Sequence, residues 1–239
     1  RVRRGGAARE DDLPGVRDLA AFEKDGALRF ERQLTTDQIE SLRAMADERI
    51  GSRPGARLDS EARLADVLAV SGAVGGVAAG LTSSRARAVR AVLFDKTEGA
   101  NWVVAWHQDR TIPVRTRIDV DGFGPWSIKD GVPHVAPPFA ILARMVTLRV
   151  HLDPVEHANA PLRVALGTHS LGRVPADQAD RVATTTEQRV CLAQAGDIWA
   201  YRTPILHMSD RAARPTRRRV LQVDYADFDL PGGLEWRPL

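Results

Sequence analysis

The chain has 239 residues, of which 44% are hydrophobic and 27% charged; that is the composition of one globular domain and excludes a disordered chain. Apolar stretches such as Val67 to Leu81 are broken by Ser and Gly, short of the about 18 residues a bilayer span needs, and no cleavable leader is visible. Net charge is +3, from 34 basic and 31 acidic residues, so neither nucleic acid nor a membrane surface is an expected partner; the single Cys191 excludes an internal disulfide and fits a reducing, cytoplasmic setting.

Residues 1 to about 15 are rich in Arg, Gly and Asp without periodicity and read as a flexible tail. Val16 to Asp25 fits a short helix, and Ala27 to Leu34 a strand, because Leu28, Phe30 and Leu34 alternate with polar residues, interrupted at Arg32. Thr35 and Gln38 form a capping box ahead of Ile39, Leu42, Met45, Ala46 and Ile50 at helical spacing. Gly51 to Gly55 stops that helix, and Ala62 to Ala79 reads as another, broken near Gly72 to Gly76. Residues 16–90 are therefore α-rich. From Arg90 to about residue 226 the character changes: short β-branched runs (Ala88 to Phe94, Trp102 to Trp106, Met145 to Leu152, Gln188 to Leu192, Asp197 to Tyr201, Arg218 to Tyr225) alternate with Gly-, Pro- and Asp-rich loops, the pattern of a sandwich, jelly roll or barrel. The segment 113–138 has little periodicity and reads as an inserted lid or binding loop.

The sharpest feature is Trp106-His107-Gln108-Asp109. On a strand, residues i and i+2 face the same way, so His107 and Asp109 aim one imidazole and one carboxylate at a common point. His207, after the run Asp197 to Tyr201, is the candidate third ligand; two His and one carboxylate on one face of a metal leave the opposite positions open, as in non-haem Fe(II) oxygenases. Beyond His207 an Arg-rich stretch, Arg214 to Arg219, enters an apolar strand. An Arg buried there needs an anion. Period-two alternation sets Arg218, Val220 and Gln222 on one face and Arg217, Arg219, Leu221 and Val223 on the other, and only one set can line the cavity.

The order His107-x-Asp109, a distal His207 and Arg218 eleven residues later resembles the phytanoyl-CoA dioxygenase family of Fe(II)- and 2-oxoglutarate-dependent oxygenases. The segments Phe94-Asp95-Lys96-Thr97, Asn101-Trp102, Trp126-Ser127-Ile128-Lys129, Leu148-Arg149-Val150-His151-Leu152-Asp153, Asn159-Ala160-Pro161-Leu162 and Gly167-Thr168-His169-Ser170 are similar to its bacterial members, across roughly residues 20 to 226. The resemblance implies one domain over 1–239, mainly β with flanking helices: a double-stranded β-helix (jelly roll, cupin-like) core with an α-rich N-terminal third. It implies that His107, Asp109 and His207 hold Fe(II), that 2-oxoglutarate chelates the metal, and that Arg218 pairs with its distal carboxylate. Lys96, Asn101 and Trp126 are its further cosubstrate-pocket candidates. The implied reaction consumes O2, releases succinate and CO2, and hydroxylates an unactivated aliphatic carbon. Asp109 favours hydroxylation over halogenation, because related halogenases lack this carboxylate.

Three of the basic residues are Lys and 31 are Arg, and Arg115, Arg117, Arg149, Arg163 and Arg202 are candidate anchors for a carboxylate- or phosphate-bearing substrate. Scattered basic residues favour a small carboxylate-bearing molecule over an acyl-CoA. The contrasting reading is the same jelly roll without oxygenase chemistry, holding zinc as a hydrolase or isomerase, or binding a ligand only.

Overall fold

The computed structural model describes residues 16–239 except 52 and 60; the expected tail at 1 to 15 lies outside the described residues. Helix α1 (Val16–Asp25) leads through Gly26, at φ 76°, into strand β1 (Ala27–Phe30). The strand stops short of Leu34 because Arg32 turns to φ 51°, and Gln33 and Leu34 donate instead to the carbonyl of Gly196. Helix α2 (Thr36–Ile50) has the expected capping box: Thr35 Oγ1 accepts from the amide of Gln38, and the Gln38 side chain accepts from the amide of Thr35. The next apolar stretch divides into α3 (Ala65–Leu68) and α4 (Ala73–Leu81). Gly72 and Gly75 are needed at that break, since a Cβ on either would lie 2.0 and 2.1 Å from the carbonyl oxygens of Asp66 and Ala69. Among the described residues no single helix is long and apolar enough to cross a membrane.

The remaining chain builds a double-stranded β-helix. Its larger sheet runs in the order β1, β11 (Ile198–Arg202), β8 (Val146–His151), β13 (Arg218–Ala226), β3 (Arg87–Lys96) and β2 (Gly55–Leu58). Facing it are β10 (Gln188–Cys191), β9 (Leu162–Ala165), β12 (His207–Ser209) and β4 (Val104–His107), and every pairing is antiparallel. Strand β2 forms where only a helix stop is expected; its four residues pair with Ala91 to Phe94 of β3.

Alternation divides the large sheet cleanly. Leu148, Val150, Leu221, Val223 and Tyr225 face outward into a core closed by α2, α3 and α4. Thr147, Arg149, His151, Arg218, Gln222 and Asp224 are on the opposite parity and face the barrel interior, where they are buried too. An apolar plug of Leu162, Val164, Cys191, Trp199 and Tyr201 fills the end of the barrel beside β1; charged and polar side chains occupy the other end.

Segment 113–138 is not a structureless insertion. With Ile112 it forms a three-stranded sheet of β5 (Ile112–Pro113), β7 (Val132–Val135) and β6 (Trp126–Lys129). Asp130 and Gly131, at φ 50° and 78°, make the two-residue turn of the β6–β7 hairpin, and Asp-Gly is the sequence signal for it. Helices α5 (Phe139–Arg144) and α6 (Ala179–Thr184) complete the fold.

The two-sided burial sets a stability contrast. Leu221→Ala, at a fully buried outward position of β13, is expected to cost about 2–5 kcal/mol in urea unfolding. Ile128→Ala, at the hairpin edge where the side chain is 77% exposed, is expected to stay within about 0.5 kcal/mol.

Candidate metal centre and its pocket

Strands β4 and β12 pair so that His107 and His207 are direct cross-strand partners, with ring centroids 4.2 Å apart. Asp109 lies two residues beyond His107, just past the end of β4, and its carboxylate returns to the same point. The ligand atoms of His107, Asp109 and His207 all lie within 4.8 Å of one another. Both imidazoles have Nδ1 against the carbonyl two residues earlier, His107 at 2.8 Å from Ala105 O and His207 at 3.0 Å from Ile205 O. Those contacts assign the proton to Nδ1 and leave both Nε2 lone pairs for a metal. Burial, then the neighbouring His107, pull the His207 pKa down to about 4, so its ring is neutral at pH 7, as a ligand must be.

Asp109 is held from behind by a residue that the sequence reading did not single out. Arg90 projects inward from β3, placing Nη2 at 3.1 Å from Asp109 Oδ2 and Nε at 2.6 Å from Asp224 Oδ2. Burial opposes ionisation of Asp109, but the Arg90 charge outweighs it and keeps the carboxyl below its ordinary range. Burial has the opposite outcome at Asp224 and, despite Arg90, raises its pKa. The guanidinium contacts Oδ2 of Asp109, so Oδ1 is the oxygen that could bind a metal. The sequence signal for Arg90 is a charge on the inward parity of β3, in line with Val92 and Phe94.

The triad opens on a cavity of about 570 Å³. Arg218 lines it, on the inward set of β13 with Gln222; Arg217 and Arg219 point outward to Asp47, Asp95 and Asp153. The Arg218 side chain is buried, Nη1 donates to the carbonyl of Ala160, and Nε has no partner. Burial, then the charge of Arg149, lower its pKa to about 9. Arg149 lines the same cavity; Nη1 donates to Gln222 Oε1 at 2.8 Å and Nε again has no partner. Lys96 is the register partner of Arg218 and donates from Nζ to the carbonyl of Asp210 at 2.6 Å; burial, then Arg218 and Arg149, lower its pKa to about 8. Among the described residues no carboxylate lies within ion-pair distance of Arg149 or Arg218. Two buried guanidiniums with unused N–H donors, beside a 2-His-1-carboxylate triad, fit a metal and an acidic chelator.

The other candidates lie elsewhere. Asn101 clips the backbone of Ala212, donating to its carbonyl at 3.0 Å and accepting from its amide at 2.8 Å. Trp126 is on the hairpin, with Arg117 5.3 Å from its ring centroid. Arg115 pairs with Glu235, Arg117 with Asp119, Arg163 with Asp210 and Arg202 with Glu23. None of these lines the cavity; Trp102, Arg57 and Lys129 do.

Two buried histidines outside the triad make folding pH-dependent. His151 has no partner for either ring nitrogen, and burial, then Arg149, Arg218 and Arg29, hold its pKa well below 6.5. His134, on the hairpin, is brought to about 4, chiefly by burial. Depressed folded-state values mean that the unfolded chain takes up the protons first. Stability is therefore expected to fall as pH drops from about 6.5 towards 4, and His134→Gln to flatten part of that slope in urea unfolding series.

A model of the family phytanoyl-CoA dioxygenase (PhyH) matches residues 22–220. No curated protein matches the sequence. Among solved structures, the non-haem alpha-ketoglutarate-dependent carbocyclase SnoK from nogalamycin biosynthesis superposes with a TM-score of 0.68 at 15% identity, covering 98% of this chain and 90% of that one. The alpha-ketoglutarate-dependent epimerase SnoN gives 0.63 at 16% identity, over 92% and 93%. HygX from Streptomyces hygroscopicus, solved with nickel and 2-oxoglutarate, gives 0.61 at 15% identity, over 89% and 87%. At these identities the structures establish the shared fold; the family match establishes kinship, and the chain belongs to the phytanoyl-CoA dioxygenase (PhyH) family within the Fe(II)/2-oxoglutarate-dependent superfamily.

Proposed function

We propose that this protein is a cytoplasmic Fe(II)- and 2-oxoglutarate-dependent hydroxylase that oxidises an unactivated aliphatic carbon of a small, carboxylate-bearing molecule and releases succinate and CO2. The observation that carries the reading is Arg218, a buried guanidinium without a carboxylate partner on the wall of the cavity that the triad faces. A dicarboxylate chelating a metal at His107, Asp109 and His207 would present a second carboxylate for it.

The bound iron and cosubstrate supply the oxidising chemistry; the residues supply ligands, charge and exclusion of water. His107 and His207 offer Nε2, fixed by their backbone contacts. Asp109 offers the oxygen that Arg90 leaves free. Arg218 would receive the far carboxylate, with Phe94 and Trp102 lining the same cavity; Lys96, the register partner of Arg218, stands behind with Nζ 5.3 Å from the Trp102 ring centroid. At the mouth, Lys129 bonds only to Thr111 Oγ1, at 2.8 Å, among the described residues, while neighbouring Arg57 is already paired with Asp130. One uncommitted rim cation suits a single carboxylate on the substrate and is a poor match for the phosphates of an acyl-CoA.

Anaerobic addition of Fe(II) and 2-oxoglutarate is expected to give the weak visible charge-transfer band of the chelate. His107→Ala should abolish it, and Arg218→Ala should weaken 2-oxoglutarate binding about 10- to 100-fold, the range for losing a hydrogen bond to a charged group. A folded, metal-loaded wild type without the band would sink the reading. Lys129→Met is expected to raise KM for a carboxylate-bearing substrate, followed by succinate release, more than it lowers kcat.

A further inference from the structure

The barrel interior holds one more guanidinium than the far carboxylate of one cosubstrate requires. Arg149 projects inward from the middle of β8, opposite Gln222 of β13 on one side and Trp199 of β11 on the other. Only 8% of the residue is exposed. Its contacts include a hydrogen bond from Nη1 to Gln222 Oε1 at 2.8 Å, the face of Phe94, whose ring centroid is 5.4 Å away, and the neighbouring Tyr201 hydroxyl, all of them neutral. Nε has no acceptor, and no carboxylate among the described residues is within ion-pair distance.

Nearby groups do not relieve that charge. His151, two residues along the same inward face, is neutral and leaves both ring nitrogens unpartnered. Arg218 stands four residues along β13 from Gln222 on the same parity, also with an unused Nε. Arg149, Arg218 and the triad line one cavity. A buried cation with open donors between two halves of a binding site is stable only when an anion joins it.

We infer that Arg149 is a second guanidinium of the oxo-acid pocket, set between the metal triad and Arg218, and that the 2-oxo dicarboxylate is held by two arginines. This rests on the reading of the cavity as a cosubstrate site and assigns Arg149 to the cosubstrate, leaving the substrate to the rim at Lys129. Gln222 is the positioning residue: its Oε1 holds Nη1 and leaves the rest of the fork to the ligand.

The test is anaerobic titration of the Fe(II)-loaded protein with 2-oxoglutarate, followed by the charge-transfer band, in wild type, Arg149→Met and Arg149→Lys. Arg149→Met is expected to raise the 2-oxoglutarate Kd about 10-fold or more, Arg149→Lys to recover part of the loss, and Fe(II) affinity to stay within about twofold in both. A 2-oxoglutarate Kd within about twofold of wild type in folded Arg149→Met overturns the inference and returns Arg149 to the substrate side. No band in the wild type would overturn the cosubstrate reading itself, which keeps the two failures distinct. Should the variants misfold, an anaerobic crystal structure of the wild type with 2-oxoglutarate decides the matter: an Arg149 nitrogen within hydrogen-bonding distance of a ligand oxygen supports the inference, and a gap with no contact refutes it.

Discussion

The cost of placing charge inside a barrel is the constraint on which the rest of the structure depends. Four cations, Arg90, Lys96, Arg149 and Arg218, project from the inward faces of β3, β8 and β13 into space that is largely sealed from water. Their treatment is unequal. Arg90 has two carboxylates, Asp109 and Asp224, and is fully compensated. Lys96 has a backbone carbonyl, and Arg149 and Arg218 have neutral acceptors only. A paired cation serves architecture; cations left with neutral partners reserve their charge for something that arrives later.

The two sheets share the work in a way that makes each incomplete alone. The smaller sheet supplies the imidazoles, since the antiparallel register of β4 and β12 sets His107 directly against His207. The larger sheet supplies the charges, and its outward face, buried under α2, α3 and α4, holds it rigid. Arg90 joins the halves, because it starts on β3 and ends on Asp109 after β4. Positioning of the carboxylate ligand thus depends on the packing of the large sheet, although Asp109 does not belong to it. Leu221 and Val223 pack outward from β13, and the register of β13 with β3 sets Arg90 opposite Asp224.

How much of this was legible in the sequence follows from the range of each interaction. The capping box at Thr35 and Gln38 is local and forms as its rule places it; His107 and Asp109 converge as their spacing suggests, although Asp109 lies past the end of β4 and not on the strand. Period-two alternation separated Arg218 from Arg217 and Arg219 without saying which set faced inward; the large sheet settles it, because Leu221 and Val223 go to the helices. The Arg90 contact with Asp109 and Asp224 spans three separate segments, so no window of sequence contains it. Strand β2 begins at Gly55, the end of the expected helix stop, and its other three residues gain strand character only from pairing with β3. The β6–β7 hairpin is a different case: Asp130-Gly131 is a strong local turn signal, obscured by the irregular chain on either side.

Segregation of charge within the cavity also bears on how one fold serves different reactions. The solved structures that share it include a carbocyclase and an epimerase, so the fold does not by itself select an outcome. In this chain the deep wall, with Arg218 and Arg149, is built from long paired strands whose register cannot slip without exchanging inward and outward faces. The mouth is different. Arg57, Lys129 and Asp130 come from a short edge strand and a hairpin, and their positions can change with turn length or a single substitution while the barrel stays intact. Under the proposed hydroxylase function, choice of the carbon to be oxidised would belong to the rim, and the deep pocket would be fixed by the register of the sheets.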